Sequence, residues 1–319
     1  MSPTGAVYEV DVHPPWVAVR DAVSRALAED VLPLGDLTAA LVPSGTRAAL
    51  AVVSRAHGVV AGRRCAEETF TQLGGGVAVT WHLDDGSSVV PGAVVATLRV
   101  PLLTVLTGER TALNFLGHLS GVATSTRRFV EAVSAVDPAV RVLDTRKTMP
   151  GLRALEKAAV RAGGGRNHRA SLSDAVLVKD NHLGGLTITE AVDRARSLWP
   201  GRMVEVECDR PEQVEEACRA GASAVLLDNM VPEEAARCVE LARAAAPGGR
   251  VLVEVSGGVT LESAPRYAAA GIDVLSVGAL THSAPVLDLG LDLVDAAPGD
   301  HADPAGASDR GAGLVREGE

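Results

Sequence analysis

The sequence predicts an α/β protein whose larger part is an incomplete, open α/β barrel. The first observation is a regular alternation of short apolar segments with helical ones from Arg141 onward. Strands that are apolar throughout, each followed by an amphipathic helix, are typical of βαβ units with a parallel sheet. The expected strands are at about 141–146, 175–179, 203–207, 224–228, 251–255 and 273–277.

The second observation is that polar side chains follow each of these strands. The carboxyl ends of all strands in a barrel face one mouth, whereas an open doubly wound sheet, the alternative fold, gathers ligands at one switch point. The polar residues therefore favour a barrel. Six strands are fewer than the eight of a closed barrel, so we expect an incomplete one. The helices between the strands are expected at 151–162, 187–198, 211–220 and 232–246.

The region before Arg141 predicts a smaller α/β domain without this repeat. Trp16, Val19, Val23 and Leu27 are spaced along one face of a helix that ends near Asp30. Further strands and helices follow from alternating apolar residues and glycine turns. The strands are expected at 48–55, 77–83 and 94–100, and the helices at 63–73 and 102–136, the second interrupted near Gly121.

Composition restricts the class of protein. Hydrophobic residues make up 47% of the chain and aromatic residues only 3%, so the core must be largely aliphatic. The formal net charge of -10 makes nucleic acid or an anionic membrane an unexpected partner. We find no secretory signal, no apolar run of the ~20 residues that span a bilayer and no CxxC pair, which predicts a cytoplasmic protein with reduced cysteines. The tail 296–319 is expected to be disordered.

Cations are concentrated in segment 146–182. Four of them fall at strand ends or in the glycine-rich loop 163–169: Arg146, Lys147, Arg169 and Lys179. Cations that converge on one mouth repel one another unless an anion is bound, so the set predicts a ligand with more than one negative charge. Arg153, Lys157 and Arg161 recur every four residues, which instead indicates the solvated face of a helix.

Carboxylates and glycine turns complete the predicted mouth. Glu207 and Asp228 end separate strands, and they suit a magnesium ion carried by pyrophosphate; the alternative is an ion pair with nearby lysines. Glycine turns after late barrel strands often bind phosphate through their backbone amides. The candidates are Ser256, Gly257 and Gly258 after one strand, and Gly278 and Ala279 after the next.

Nine motifs in chain order resemble one enzyme family. They are ERTALNFL (109–116), LSGVAT (119–124), DTRKT (144–148), GGGRNHR (163–169), KDNH (179–182), EVE (205–207), LDNM (227–230), SGG (256–258) and SVGALTHS (276–283). Together they resemble the quinolinate phosphoribosyltransferases, also called carboxylating nicotinate-nucleotide pyrophosphorylases. The resemblance covers roughly residues 16–290.

The resemblance implies a fold and an assembly. A smaller amino-terminal α/β domain, residues 1–120 joined by segment 281–295, would pack against an incomplete barrel of residues 121–280. The protein would be a homodimer or a higher homo-oligomer, in which Arg110 of one subunit reaches the active site of its neighbour.

The resemblance also implies a reaction and residue roles. Quinolinate would react with phosphoribosyl pyrophosphate to give nicotinate mononucleotide, pyrophosphate and carbon dioxide, with magnesium and no organic cofactor. The implied catalytic residues are Lys147, Glu207 and Asp228, the last two also serving magnesium. The implied substrate-binding residues are Arg110, Thr145, Arg146, Lys147, His168, Arg169 and Lys179 on the acid side, and Ser256, Gly257, Gly258, Gly278, Ala279 and His282 around the 5-phosphate.

Three alternative functions remain at this point. The acceptor could be another aromatic acid, because Ser171 and Ser173 replace the Gly-Leu-Tyr-like run usual in the family. Lys179 at a strand end is also compatible with a Schiff-base aldolase. A ligand-binding protein without catalysis is the third alternative, from a different class.

Overall fold

The computed structural model describes residues 11–43, 45–246 and 249–294; the predicted tail 296–319 lies outside them. The first half of the chain alternates helices and short strands. Its helices are α1 (Trp16–Val31), a 3-10 turn (Ala39–Leu41), α2 (Arg63–Gln72) and α3 (Leu102–Ser134). Its strands are β1 (Arg47–Ser54), β2 (Gly58–Val59), β3 (Ala78–Trp81), β4 (Ser88–Val89) and β5 (Val94–Pro101).

The second half repeats a strand and a helix. Its strands are β6 (Arg141–Leu143), β7 (Val176–Val178), β8 (Val204–Cys208), β9 (Ala224–Asp228), β10 (Leu252–Ser256), β11 (Val274–Ser276) and β12 (Leu289–Leu293). Its helices are α4 (Arg153–Ala162), α5 (Asp180–Leu183), α6 (Ile188–Leu198), α7 (Pro211–Arg219), α8 (Pro232–Ala245), α9 (Ala264–Ala269) and α10 (Ala279–His282).

Strands β6 to β11 form one parallel sheet in the order β6-β11-β10-β9-β8-β7. The first strand of this set therefore pairs with the last, as closure of a barrel requires. Among the residues that the structure describes, β6 and β7 do not pair with each other, so the barrel stays open between them. The predicted incomplete barrel is confirmed.

Aliphatic residues cover the outer face of this sheet, opposite to the face that carries Glu205 and Glu254. Val206, Val225, Leu227, Val255 and Leu275 are all buried. Burying one such side chain contributes about 1.5–3 kcal/mol, which explains why short strands without aromatic residues suffice for the core.

A second, antiparallel sheet lies in the smaller part of the chain. Its order is β12-β1-β5-β3, so the last described strand returns to pair with the first, and Leu291 lies opposite Val52. This sheet has its own cluster of buried residues, to which α2 and α3 contribute Phe70 and Leu116. The return strand β12 was not predicted, because its segment looked like a simple connection.

Helix α3 is continuous, and the predicted interruption near Gly121 is wrong. Gly121 is buried in the helix because the chain crosses it there: an added Cβ would overlap the carbonyl oxygen of Pro285 and lie 3.2 Å from the Cα of Val286. The glycine permits a close backbone approach rather than a break. Within the described ranges, no helix has both the length and the apolar character needed to cross a membrane.

Candidate active site

The predicted site residues stand where the barrel strands end. Arg146 and Lys147 follow β6, Lys179 follows β7, Glu207 lies near the end of β8 and Asp228 ends β9. Because parallel strands end on the same side of their sheet, these side chains share one mouth. Ser256 ends β10, Gly257 and Gly258 follow it, and Gly278 precedes α10.

Two arginines of the mouth are close enough to affect each other. Burial lowers the pKa of Arg169, and the like charge of Arg146 lowers it further. Arg169 donates one hydrogen bond to the Ala175 carbonyl at 3.3 Å. The Nε of Arg146 is buried without a hydrogen-bond partner. A buried donor without a partner is costly, so the pair offers donors and positive charge to an anion.

Lys179 forms an ion pair with Glu207. The structure thus shows the alternative interpretation of Glu207, an ion pair with a nearby lysine. The second oxygen of the carboxylate remains available for a metal ion. Both side chains are half-buried. Asp228, on the neighbouring strand, accepts a hydrogen bond from Asn229 Nδ2 at 2.8 Å.

Glu207 and Asp228 can bind magnesium only if other ligands complete its coordination. Two carboxylates from neighbouring strands supply hard oxygen ligands, but they do not form a cage of three or more. Magnesium is commonly bound by one or two carboxylates together with waters and substrate phosphates. The pair therefore suits an ion that arrives with pyrophosphate.

Gly278 lies between Lys147 and His282. A Cβ on Gly278 would be 3.1 Å from Lys147 Cδ and 3.2 Å from His282 Nε2. Thr281 Oγ1 donates to the Lys147 carbonyl at 2.7 Å, which ties β6 to α10. The Lys147 backbone N–H in turn donates to Thr145 Oγ1 at 3.0 Å. Gly278 therefore lies directly beside the Lys147 and His282 side chains, with Ala279 next in the chain.

The glycine turn after β10 is fixed to β9. The Asn229 backbone N–H donates to the Ser256 carbonyl at 3.0 Å. Gly257 has a φ of 89° and Gly258 a φ of 59°, which favour glycine. A Cβ on Gly257 would also lie 2.9 Å from the Asn229 backbone nitrogen. The turn can therefore present its backbone at close range, as phosphate binding requires.

His168 points into the barrel interior. Its Nε2 lies 3.2 Å from Glu205 and 3.4 Å from Glu254, two buried glutamates on β8 and β10. Burial lowers the pKa of His168, but hydrogen bonds and charges of the two glutamates outweigh it and raise that pKa to about 10. The Arg169 backbone N–H faces Nδ1 at 2.7 Å and opposes a second ring proton. In either charge state Nε2 carries a proton directed at the glutamates.

His168, Glu205 and Glu254 are also the one set of three candidate metal ligands within 4.8 Å found among the described residues. His168 Nε2 faces both carboxylates, but Oε1 of Glu205 and Oε1 of Glu254 are buried without a hydrogen-bond partner. Burial raises the pKa of Glu205, an effect that His168 opposes and Glu254 reinforces, as expected of two carboxyl groups beside one ring. These two glutamates were not among the site residues predicted from the sequence. Each stands between apolar residues within a strand, and only the residues at strand ends and in loops were considered.

The solvated helix face predicted for Arg153, Lys157 and Arg161 is wrong. Lys157 is only 4% exposed and forms an ion pair with Asp144, which is fully buried. Arg153 donates to Thr148 Oγ1 at 3.0 Å, and Arg161 donates to Asn167 Oδ1 at 2.7 Å. The three cations lie on one face of α4, and this face packs against the segments that contain Thr148 and Asn167. A helix face exposed to solvent would show the same spacing in the sequence.

Arg110 stands apart from the contacts described above. It is exposed on α3, and its expected role in a neighbouring subunit stays a prediction.

Comparison with known proteins agrees with this geometry. The family model of the quinolinate phosphoribosyl transferase N-terminal domain matches residues 36–120, and that of the C-terminal domain matches residues 122–292. The carboxylating nicotinate-nucleotide pyrophosphorylase of Mycobacterium leprae is 42% identical over 280 residues, which cover 86% of this chain and 97% of that protein. The human protein of the same name is 40% identical over 283 residues, 88% of this chain and 93% of the human one. The solved nicotinate-nucleotide pyrophosphorylase of Francisella tularensis has a TM-score of 0.83 and 36% identity, covering 90% of this chain and 99% of that one.

Proposed function

Because the chain belongs to the quinolinate phosphoribosyltransferase family, we propose that it transfers a phosphoribosyl group from phosphoribosyl pyrophosphate to quinolinate and releases carbon dioxide. The products are nicotinate mononucleotide and pyrophosphate, a step of NAD biosynthesis. The observation that carries the proposal is the convergence of Arg146 and Arg169 at the barrel mouth, with the buried Arg146 Nε unpartnered.

The acid is bound by charge and by geometry. Quinolinate carries two neighbouring carboxylates, and arginine forks bind carboxylates through paired hydrogen bonds. Arg146, Arg169 and Lys179 supply this binding, with Thr145 lining the pocket. Each well-placed hydrogen bond to a charged group contributes about 1.5–3 kcal/mol. The resemblance implied that His168 binds the acid directly, but its Nε2 is directed at Glu205 and Glu254. We propose instead that it supports the neighbouring Arg169 from inside the barrel.

The sugar phosphate is bound on the opposite side of the mouth. Ser256, Gly257 and Gly258 offer backbone amides to the 5-phosphate, and so do Gly278 and Ala279, with His282 adjacent. Glu207 and Asp228 hold the ribose and a magnesium ion, which when bound offsets the negative charge of the departing pyrophosphate. Lys147 lies beside Gly278 and so serves both substrates.

The chemistry requires orientation and electrostatics more than covalent help. The pyridine nitrogen forms a bond to the anomeric carbon as the bond to pyrophosphate breaks, through a transition state with oxocarbenium character. The alkylated ring is cationic, and its positive nitrogen stabilises the electron pair left on the adjacent carbon when the carboxylate there leaves as carbon dioxide. That carbon then takes up a proton, which gives nicotinate mononucleotide. Fixed cations and a held acid lower this barrier by positioning and by charge stabilisation.

Product analysis tests the proposal. Incubation with quinolinate, phosphoribosyl pyrophosphate and magnesium should give nicotinate mononucleotide by mass spectrometry, with loss of product when magnesium is removed. Label in the carboxylate next to the nitrogen should appear in carbon dioxide. Nicotinate and related acids run in parallel are the control for acceptor choice. Absence of the nucleotide from quinolinate, with product from another acid, would overturn the proposed substrate.

Arg169→Ala provides a residue-level test. Removing a half-buried cation from the mouth should raise the KM for quinolinate strongly, by about 10- to 100-fold, because each charged hydrogen bond contributes more than 1 kcal/mol. The melting temperature should stay near that of the unmodified protein. Arg219→Ala, which removes an exposed cation on α7, is the control. An unchanged KM in Arg169→Ala would refute its role.

The aldolase alternative is less well supported. The amine of a Schiff-base lysine must be free to attack a carbonyl carbon, whereas Lys179 forms an ion pair with Glu207.

The assembly and domain limits complete the proposal. The amino-terminal domain comprises residues 1–120 joined by 281–295, and the barrel comprises residues 121–280; the pairing of β12 with β1 supports this division. The active protein is a cytoplasmic homodimer or larger oligomer, and the exposed position of Arg110 is compatible with a site in the neighbouring subunit.

A further inference from the structure

A buried ion pair lies underneath the acid-binding mouth. Asp144 is fully buried, and Lys157 is 4% exposed. Burial raises the pKa of Asp144 and lowers that of Lys157, while their mutual attraction opposes both shifts. The pair has no net charge and is closed to solvent, so it does not itself bind an anion.

Every polar side-chain atom of this pair contacts the backbone or a side chain of another segment. Asp144 accepts the His168 backbone N–H at 2.9 Å and Asn167 Nδ2 at 2.6 Å. Lys157 donates from Nζ to the His168 carbonyl at 2.9 Å, and its own carbonyl accepts from Asn167 Nδ2 at 2.9 Å. The ion pair therefore joins the end of β6, which continues into Arg146, to the loop that ends in Arg169.

The same helix supports these segments a second time. Arg153 donates to the Arg146 carbonyl at 3.3 Å and to the Ala170 carbonyl at 3.1 Å. Burial is the main cause of the lowered pKa of Arg169, and the like charge of Arg146 lowers it further, so the two cations repel each other. Without an anion, something beneath them must hold their backbones together.

We propose that Asp144 and Lys157 are positioning residues that set the spacing of Arg146 and Arg169 for the acid, with Arg153 as a second support. This inference rests on the proposed function. The pair does not touch substrate; it acts through the two backbone segments that it joins. A displacement of about 1 Å in such a site can lower kcat/KM by about 100-fold.

Two double variants separate positioning from folding. Removing one partner alone leaves a buried charge and threatens the fold, whereas an apolar pair of similar volume is tolerated. Asp144→Leu with Lys157→Met removes the acceptor for His168 and is expected to raise the KM for quinolinate about 10-fold or more. Asp144→Asn with Lys157→Met keeps an acceptor and should recover part of that loss. The KM for phosphoribosyl pyrophosphate should change little in both.

Arg153→Met is an independent variant that leaves no buried charge behind. It should raise the KM for quinolinate in the same direction. Arg250→Met is the matched control, since Arg250 pairs with the buried Asp273 at the amino ends of β10 and β11, far from the mouth. It should affect thermal stability and leave the KM for quinolinate unchanged.

The outcomes are distinguishable. If the unmodified protein makes no nucleotide from quinolinate, the proposed function fails. If it does, and the folded Leu/Met variant and Arg153→Met both keep the parental KM for quinolinate, the positioning role is wrong while the function stands. If the Leu/Met variant does not fold, the Asn/Met variant and Arg153→Met still decide. An unchanged KM for quinolinate in both of them would overturn the positioning role.

Discussion

Gly121 determines how closely the chain can pass helix α3. The residue lies in the middle of the helix, where glycine is about 1 kcal/mol worse than alanine. Its missing side chain is nevertheless needed, because the backbone at Pro285 and Val286 occupies the space of a Cβ.

The sign of one substitution tests this interpretation. Gly121→Ala should lower the free energy of unfolding by about 2 kcal/mol, since the overlap with backbone outweighs the gain in helix propensity. Urea denaturation measures the change, and Arg128→Ala at an exposed position of α3 is the control. A more stable Gly121→Ala protein would mean that the crossing is looser than described.

His168 gives the stability of the protein a dependence on pH. Although burial lowers the pKa of His168, the attraction of Glu205 and Glu254 raises it from 6.5 to about 10 in the folded chain and outweighs the Arg169 backbone N–H that faces Nδ1. The contribution of His168 is therefore complete below the unfolded value and is lost as pH rises through the folded one. The free energy of unfolding should fall by about 1–2 kcal/mol between about pH 6.5 and pH 8.5.

The comparison with His168→Gln isolates this contribution. The variant keeps a hydrogen-bond donor but has no titrating ring, so its free energy of unfolding should change less between these pH values. The interval also lies below the ordinary pKa of the buried thiols, which therefore contribute little to the change. Chemical denaturation at several pH values measures both proteins. Parallel curves would show that His168 does not titrate as stated.

At the scale of elements, the strand β12 stabilises a sheet formed mostly by the first hundred residues. Leu291 packs against the hydrophobic cluster of that sheet, whereas Leu293 on the same strand is 76% exposed. Leu291→Asp should therefore cost about 2–3 kcal/mol, because it places a carboxylate against apolar side chains.

Leu293→Asp is the matched control, and it should change the melting temperature little. Thermal unfolding followed by circular dichroism compares the two. Equal effects at both positions would mean that β12 does not contribute to the core through Leu291.

Most elements could be predicted from the sequence, because apolar strands and amphipathic helices have periods that do not depend on distant residues. Strand β6 ends at Leu143 rather than near residue 146, since Asp144 turns inward to meet Lys157. Return strand β12 could not be predicted, because its partner β1 is far away in the sequence. For the same reason the spacing of Arg153, Lys157 and Arg161 could not separate a solvated face from a face that supports two loops.

The site was predictable to a different degree. Strand ends identified the residues of the mouth, since parallel strands bring their carboxyl ends together whatever the loops contain. The residues underneath, Asp144 and Glu205 among them, could not be found in this way. Their importance lies in contacts between segments, which the sequence does not display.

At the scale of the whole molecule, the proposed assembly predicts exchange of function between subunits. Arg110→Ala and Lys147→Ala should each be nearly inactive, because each removes a cation that the proposed site needs. In a mixed dimer, one of the two sites would contain both native residues. Unfolding and refolding the two variants together should restore about a quarter of the activity, on random pairing of subunits.

Refolding each variant alone is the control for this rescue. Activity of the mixture that stays at the level of the separate variants would indicate that each site is formed within one chain.

The pairing of β12 with β1 also has a consequence for biosynthesis. Strand β1 is made early, but the neighbour that covers its outer edge is made only after the six barrel strands. During translation the nascent sheet thus exposes an unpaired edge, a known route to aggregation. We expect this sheet to stay incomplete, with one edge of β1 uncovered, until residue 293 has been synthesised.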